Sequence, residues 1–140
     1  MSKWSANDIT KALCLTSEGS IDFEATGISI DSRTLKPGEI FVAIKGEHSN
    51  GHDFLKDALN KGASAFIIEE EAPEFLKNYT YFIVPGTFEA LKQLSDYKRN
   101  KSNAQMIAIT GSVGKTTTKE WLAQILTAFG QTVYSPASYN

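Results

Sequence analysis

Residues 106–118 read MIAITGSVGKTTT, and the fold class follows from the order of residue types in this segment. Its first four residues are apolar and predict a buried strand, whereas apolar residues recur at helical spacing from Trp121 to Phe129. A glycine-rich turn between a strand and a helix is typical of phosphate-binding units in α/β proteins. The segment therefore predicts the first strand, loop and helix of a doubly wound nucleotide-binding domain.

Two glycines shape the predicted loop. Gly111 and Gly114 allow a tight turn and let the backbone approach a ligand without a clash from a Cβ atom. The usual phosphate-binding loop has another glycine five positions before the second of these, where this chain has Ile109. The loop is therefore a shortened Gly-x-x-Gly-Lys-Thr, in which Ser112 fills a variable position among the residues expected to bind the nucleotide.

The residues that follow the loop supply charge and metal ligation. Backbone N–H groups at the start of a helix point at anionic oxygens, and the helix dipole favours negative charge there. We expect Lys115 to reach the terminal phosphates of a nucleotide and the Thr116 hydroxyl to join the ligands of Mg²⁺, so these two residues are the predicted catalytic pair. Thr117 is either a phosphate neighbour or an ordinary first-turn residue.

Composition excludes several classes of protein. The 140 residues are 41% hydrophobic and carry a net charge of −2, which predicts a globular chain without nucleic-acid partners. No apolar run approaches the roughly 20 residues that span a bilayer, and the first residues do not resemble a signal peptide. We therefore predict a cytoplasmic protein without membrane insertion. Cys14, the single cysteine, has apolar neighbours that predict a buried side chain.

The upstream sequence predicts a second, smaller α/β region. The acidic run at residues 69–71 is interpreted as a solvated loop. A Pro-Gly pair after residue 84 divides the chain into residues 1–84, a small α/β domain with a mixed sheet, and residues 85–140, the incomplete start of the nucleotide-binding domain. Strands are predicted at 28–32, 40–44, 65–68, 81–84, 106–109 and 132–134, and helix caps at Ser5, Asp53 and Thr87.

Two further segments support a family resemblance. The loop TGSVGKTTTKE is similar to the ATP-binding loop of the Mur ligases, which build the peptide stem of bacterial peptidoglycan. Residues 31–70, DSRTLKPGEIFVAIKGEHSNGHDFLKDALNKGASAFIIEE, resemble the N-terminal domain of the ligases that act late in that pathway. Residues 132–140, TVYSPASYN, resemble the segment after the ATP loop in the MurF branch, which adds D-alanyl-D-alanine.

The resemblance implies a site for the UDP end of the precursor. Ser32 and Arg33 of the Asp-Ser-Arg motif are expected near the UDP, since a hydroxyl and a guanidinium both suit a diphosphate. For Arg33 the alternative is a local ion pair across the turn. The next matching block implies that Lys45 meets a phosphate and that Gly46 allows close approach to the uridine or ribose. His52 is either a further substrate-binding residue or a structural one that hydrogen-bonds its own loop.

The resemblance also implies a reaction. ATP would phosphorylate the terminal carboxylate of UDP-N-acetylmuramoyl-tripeptide, and the amine of D-alanyl-D-alanine would attack the acyl phosphate. The chain stops one helix and one strand after the ATP loop, so we expect a fragment that lacks the rest of the central domain and the C-terminal domain and is inactive alone. The alternatives are another Mur ligase such as MurE, a stand-alone UDP-sugar-binding module, and an unrelated phosphate-loop kinase or GTPase.

Overall fold

The computed structural model describes residues 3–15, 23–46 and 49–135, which form two units, Met1–Ser102 and Asn103–Asn140. Part of the tail that resembles the MurF branch, residues 136–140, lies outside the described residues. The division between units falls later in the chain than residue 84, because a long helix after that point packs on the first unit. The predicted boundary at residue 84, between a precursor-binding part and a nucleotide-binding part, therefore stays a prediction.

The first unit contains a two-stranded antiparallel sheet and a four-stranded parallel sheet in the order β3-β4-β5-β6. The α/β fold is thus as predicted. Parallel and antiparallel pairing both occur, but they lie in two separate sheets. The strands are β1 (Trp4–Ser5), β2 (Glu24–Ala25), β3 (Gly27–Ser29), β4 (Glu39–Val42), β5 (Ala65–Ile68) and β6 (Tyr81–Ile83). The helices are α1 (Ala6–Ala12), α2 (Leu55–Asn60), α3 (Thr87–Lys101) and α4 (Lys115–Thr127), with 3₁₀ turns at Gly51–Phe54 and Glu74–Leu76.

Helices cover both faces of the parallel sheet. Successive side chains of a strand point to opposite faces, so Ile40 and Val42 of β4 lie on one face and Phe41 on the other. On the first face α1 and α3 supply apolar partners such as Ile9 and Leu94. On the second face α2 and the 3₁₀ turn at Glu74–Leu76 do the same. This double cover explains why the central strands are continuous apolar runs.

The helix starts agree only partly with the predicted caps. Ser5 caps α1 as predicted, and its hydroxyl and the Asp8 carboxylate form a reciprocal capping box. Asp53 is not a cap, because the 3₁₀ turn before α2 begins earlier and Asn50 caps it. Thr87 is also not a cap. Gly86 occupies the cap position of α3, and Thr87 is the first helical residue.

The predicted burial of Cys14 is wrong. Cys14 is exposed and has a φ of 52°, in the left-handed region. The N–H groups of Leu15 and Cys14 donate to the carbonyls of Thr10 and Lys11, which closes α1 with a Schellman motif. The Schellman motif requires a left-handed residue just after the helix, and in this conformation the Cys14 side chain points away from the core.

In the second unit the described residues contain α4 but no strand at 106–109 or 132–135. The predicted strands at these places are wrong for a common reason. A strand needs a hydrogen-bonded neighbour, and the described residues of this unit include no strand to pair with. The apolar residues Trp121 and Ile125 of α4 are mostly exposed, whereas Ala123 is buried.

Candidate functional site

The residues predicted to bind the UDP end lie in segments that follow neighbouring parallel strands. Because the strands are parallel, their carboxyl ends meet at one edge of the sheet, which is where open α/β sheets bind ligands. We call this the carboxyl edge. The segment after β3 contains Ser32 and Arg33, and the loop after β4 contains Lys45, Gly46 and His52. The topology therefore brings both predicted blocks to the same edge.

Arg33 forms the local ion pair that the sequence left open as an alternative. Its Nη2 and Nε donate to the Asp31 carboxylate at 2.7 and 3.0 Å, and its backbone N–H donates to the same group at 2.8 Å. These hydrogen bonds lower the pKa of Asp31 to about 2. The Arg33 side chain is 87% exposed, whereas Ser32 is buried. The guanidinium is thus the accessible member of the motif.

In the loop after β4, residues 45–54, the described residues on the two sides of positions 47–48 contact each other. Lys45 and Asn50 form an isolated antiparallel bridge, and the Gly46 N–H donates to the Ser49 carbonyl at 2.9 Å. The Lys45 ammonium lies 3.8 Å from the Glu70 carboxylate, and both side chains are more than half exposed. The loop therefore presents a lysine beside a glycine at the carboxyl edge.

Protein groups engage both ring nitrogens of His52. Nδ1 lies 2.8 Å from Oδ1 of Asn50, and Nε2 accepts a hydrogen bond from the Glu69 backbone N–H at 3.0 Å. The structural role that the sequence left open for His52 is therefore present.

Glu69 is a residue whose role the sequence analysis missed. Its carboxylate accepts hydrogen bonds from the backbone N–H and the hydroxyl of Thr87, at 2.6 and 2.7 Å. These two bonds lower the pKa of Glu69, and the nearby Lys45 ammonium acts in the same direction. The interpretation of Glu69 as part of a solvated run is wrong. A carboxylate placed directly after a buried parallel strand was the signal that could have identified it.

The predicted ATP loop combines left-handed glycines with a helix start. Gly111 and Gly114 have φ values of 148° and 81°, and Gly114 is the N-cap of α4. No atom lies within 4 Å of a Cβ built on Gly114, so the backbone conformation, not lack of space, requires glycine there. The Lys115 ammonium donates to the Gly111 carbonyl at 2.5 Å and so lies over the loop. Ser112 lies in the exposed turn between the glycines.

This geometry fits a polyphosphate group. The first turn of α4 contains no acidic residue, and Lys115 places a cation beside its N-terminus. For Mg²⁺, the described residues contain no cluster of three or more histidine, cysteine or acidic side chains. Mg²⁺ in nucleotide sites takes few protein ligands besides phosphate oxygens and water, so the Thr116 hydroxyl suits it. Thr117 lies in the same exposed first turn.

Comparison with known proteins identifies relatives over most of the chain. The family profile described as "Mur ligase family, catalytic domain" matches residues 24–129. A UDP-N-acetylmuramoyl-tripeptide–D-alanyl-D-alanine ligase of Rickettsia prowazekii is 37% identical over 123 residues, which are 88% of this chain and 26% of the relative. A UDP-N-acetylmuramoyl-L-alanyl-D-glutamate–2,6-diaminopimelate ligase of Clostridioides difficile is 36% identical over 86% of this chain and 25% of the relative.

Solved structures give the same result. MurF from Acinetobacter baumannii matches with a TM-score of 0.73 and 32% identity, over 91% of this chain and 28% of that protein. MurF ligase from Thermotoga maritima, in complex with ADP, matches with a TM-score of 0.58 and 35% identity, over 72% of this chain and 23% of that protein.

The chain spans about a quarter of the length of these relatives. None of the helices in the described part of the chain combines the length and apolarity needed to cross a membrane. The family profile covers well over half of the sequence and includes both the carboxyl edge and the glycine-rich loop. This protein belongs to the Mur ligase family, a family of ATP-dependent ligases.

Proposed function

We propose that this sequence is the precursor-binding and ATP-binding part of a ligase that adds D-alanyl-D-alanine to UDP-N-acetylmuramoyl-tripeptide. The observation that carries the proposal is the loop at the start of α4, where two left-handed glycines precede Lys115 and Thr116. Residues 1–84 would hold the UDP end, and residues 85–140 would begin the ATP-binding domain. The remaining central and C-terminal domains of the same polypeptide would complete the enzyme.

In this proposal the carboxyl edge binds a part of the precursor that does not react. Arg33 would contact the UDP and Lys45 would meet a phosphate beside Gly46, whereas Ser32, which is also expected near the UDP, is buried. Binding energy from such a remote handle can hold the reacting carboxylate in position, which is how enzymes convert binding into rate. The exposed guanidinium and ammonium groups are suited to this role because both can form charge-assisted hydrogen bonds with a diphosphate.

The loop would serve phosphoryl transfer. ATP, when bound, supplies the phosphoryl group that activates the tripeptide carboxylate for attack by the amine of D-alanyl-D-alanine. Phosphoryl transfer depends on positioning and charge neutralisation more than on a protein nucleophile. Lys115 would neutralise the terminal phosphates, Thr116 would hold Mg²⁺, and the N–H groups of the loop, including those of Gly111, Ser112 and Thr117, would orient the phosphate oxygens.

Two expectations accompany the proposal. We expect the reaction in the cytoplasm, where ATP is available. We expect the 140-residue chain to lack ligase activity by itself, because the relatives are several times longer and the described ATP loop has no strand beside it. Supplying the remaining domains is therefore necessary for turnover.

The test of this proposal uses the longer ligase that contains this sequence. We expect Lys115→Ala to abolish ADP formation and ligation while UDP-N-acetylmuramoyl-tripeptide binds within a few fold of the wild-type affinity. Lys119→Ala is the matched control, because Lys119 lies one turn further along α4 and donates to the Ser135 carbonyl. Precursor affinity that falls as far as activity, or full activity in Lys115→Ala, would contradict the proposal.

A second candidate is addition of 2,6-diaminopimelate to the dipeptide precursor. The observation in its favour is the Clostridioides difficile ligase, whose identity to this chain is within one percentage point of that of the Rickettsia relative. The two candidates differ in precursor and amine, so the longer ligase distinguishes them when it is offered each pair in turn. Phosphate release only with the dipeptide precursor and diaminopimelate would favour the second candidate.

A further inference from the structure

We propose that His52 and Glu69 are positioning residues, which fasten the loop at residues 45–54 to the first turn of α3. This inference deepens the proposed function, because the fastened loop contains Lys45 and Gly46, the residues expected to meet the UDP end. His52 would then act on the ligand through the loop and not by contact with it.

The first observation is that the protein itself uses both polar atoms of the imidazole. Nε2 accepts from the Glu69 backbone N–H, so that nitrogen carries no proton. Nδ1 then carries the ring proton of the neutral form and donates it to Oδ1 of Asn50. The same Asn50 oxygen also accepts from the His52 backbone N–H at 3.1 Å. The ring would therefore have to give up one of these bonds in order to contact a ligand.

The second observation is the close approach of the loop to the sheet. Gly51 donates its N–H to the Ile44 carbonyl at 2.8 Å. A Cβ atom on Gly51 would lie 2.6 Å from the Ile44 nitrogen and 2.7 Å from the Ala43 carbonyl carbon. The backbone before His52 is thus pressed against the end of β4, which fixes the point from which the imidazole extends.

The third observation is that the connection continues from β5 to α3. The residue whose N–H meets His52 is Glu69, and its carboxylate accepts both hydrogen bonds of Thr87. Thr87 is fully buried and begins a helix whose cap, Gly86, has no side chain to offer. Glu69 therefore does the capping that Gly86 cannot do, from 18 positions away in the sequence.

These contacts form one continuous connection. It runs from Asn50 through His52 and Glu69 to Thr87, and so joins the segments that follow β4, β5 and β6. Removing the imidazole leaves the Glu69 N–H without its acceptor and releases the loop from β5. We expect the loss to appear in ligand affinity, because Lys45 belongs to the released segment.

The connection itself is tested by NMR of the 140-residue chain, without any ligand. Nitrogen-15 spectra of the imidazole should show His52 as the neutral tautomer with the proton on Nδ1. In His52→Ala the backbone amide signals of both Glu69 and Thr87 should shift, whereas in Asn78→Ala, an exposed site before β6, they should stay in place. A proton on Nε2, or an unmoved Thr87 amide in a folded His52→Ala chain, would overturn the proposal.

The effect on the ligand is tested by titration of the same chain with UDP-N-acetylmuramoyl-tripeptide. We expect His52→Ala to weaken binding by about tenfold, the scale of one lost buried hydrogen-bond partner. His52→Gln keeps an acceptor near the Nε2 position and should return the affinity to within about threefold of wild type. Unchanged affinity in His52→Ala, or equal weakening in both variants while both remain folded, would overturn the positioning role.

The two tests separate this inference from the proposed function. If the folded wild-type chain does not bind the UDP ligand while the NMR results are as expected, the precursor-binding function fails and the connection between loop and helix stands. If the wild-type chain binds the ligand but the tautomer is the opposite one, the connection fails and the function stands.

Discussion

Cys14 occupies a position that glycine suits better. The residue closes α1 with a φ of 52°, and L-amino acids with a side chain pay for this left-handed conformation with about 1 kcal/mol or more. We predict that Cys14→Gly raises the free energy of unfolding by about 1 kcal/mol, whereas Cys14→Ala leaves it nearly unchanged. Urea denaturation of the three chains measures the difference. A glycine variant no more stable than the alanine variant would show that the position is not strained.

Single residues also show where sequence reasoning stops. The left-handed glycine at 114 and the helix start at Lys115 could be predicted from a local pattern, because a tight turn and a helix start involve neighbouring residues. The partnership of Glu69 with Thr87 joins residues 18 positions apart, and it forms only when β5 and β6 pair. His52 is intermediate between a residue that a local pattern reveals and a residue whose contact is distant in sequence. Its motif was visible, but the contact that defines its role comes from the end of another strand.

At the scale of elements, α1 and α3 are joined through Asp8. Its carboxylate accepts from the Tyr97 hydroxyl at 2.9 Å and from the Lys101 ammonium at 2.7 Å. Trp4 stacks on Tyr97, and the Lys98 ammonium lies 4.2 Å from the Trp4 ring centroid. Burial alone would raise the pKa of Asp8, but the hydrogen bonds from Lys101, Ser5 and Tyr97 outweigh it and hold that pKa well below its usual range.

The hydrogen bonds of the Asp8 carboxylate predict that the stability of the fold depends on pH. A carboxyl whose pKa is lower in the folded state stabilises the fold above its unfolded pKa of about 4 and loses that effect as the pH falls. We therefore expect Asp8→Asn to be less stable than wild type at pH 7 and to approach it towards pH 2. Asp96→Asn, an exposed site on α3, is the control. Denaturation curves that differ equally at both pH values would contradict the assignment.

Among the elements, buried strands were predicted best. The prediction for residues 65–68 matches β5, because a parallel strand covered on both faces is a continuous apolar run. The strands β1 and β2 were not predicted, because each is two residues long and so shows no alternation of polar and apolar residues. The segment at 106–109 has the composition of a strand, but pairing depends on residues distant in sequence, which composition does not reveal.

At the scale of the whole molecule, α3 belongs with the first sheet. Ala90 and Leu94 are almost fully buried against the face that includes Val42, Ile67 and Phe82. A chain ending at Ser102 keeps the first unit whole and should therefore unfold cooperatively. A chain ending at Val84 should lose cooperative folding, because it exposes that face. Thermal unfolding followed by circular dichroism compares the two, and a cooperative transition in the shorter chain would contradict this arrangement.

The most direct test of the account is a calorimetric titration of the 140-residue chain with UDP-N-acetylmuramoyl-tripeptide. The central claim is that the carboxyl edge of the parallel sheet binds the UDP end of this precursor. We predict saturable binding that Lys45→Ala weakens about tenfold, the scale of a lost charge-assisted hydrogen bond, and that Lys92→Ala, on the exposed surface of α3, leaves unchanged. A folded chain that gives no heat of binding, or that binds equally well with and without Lys45, would contradict the claim.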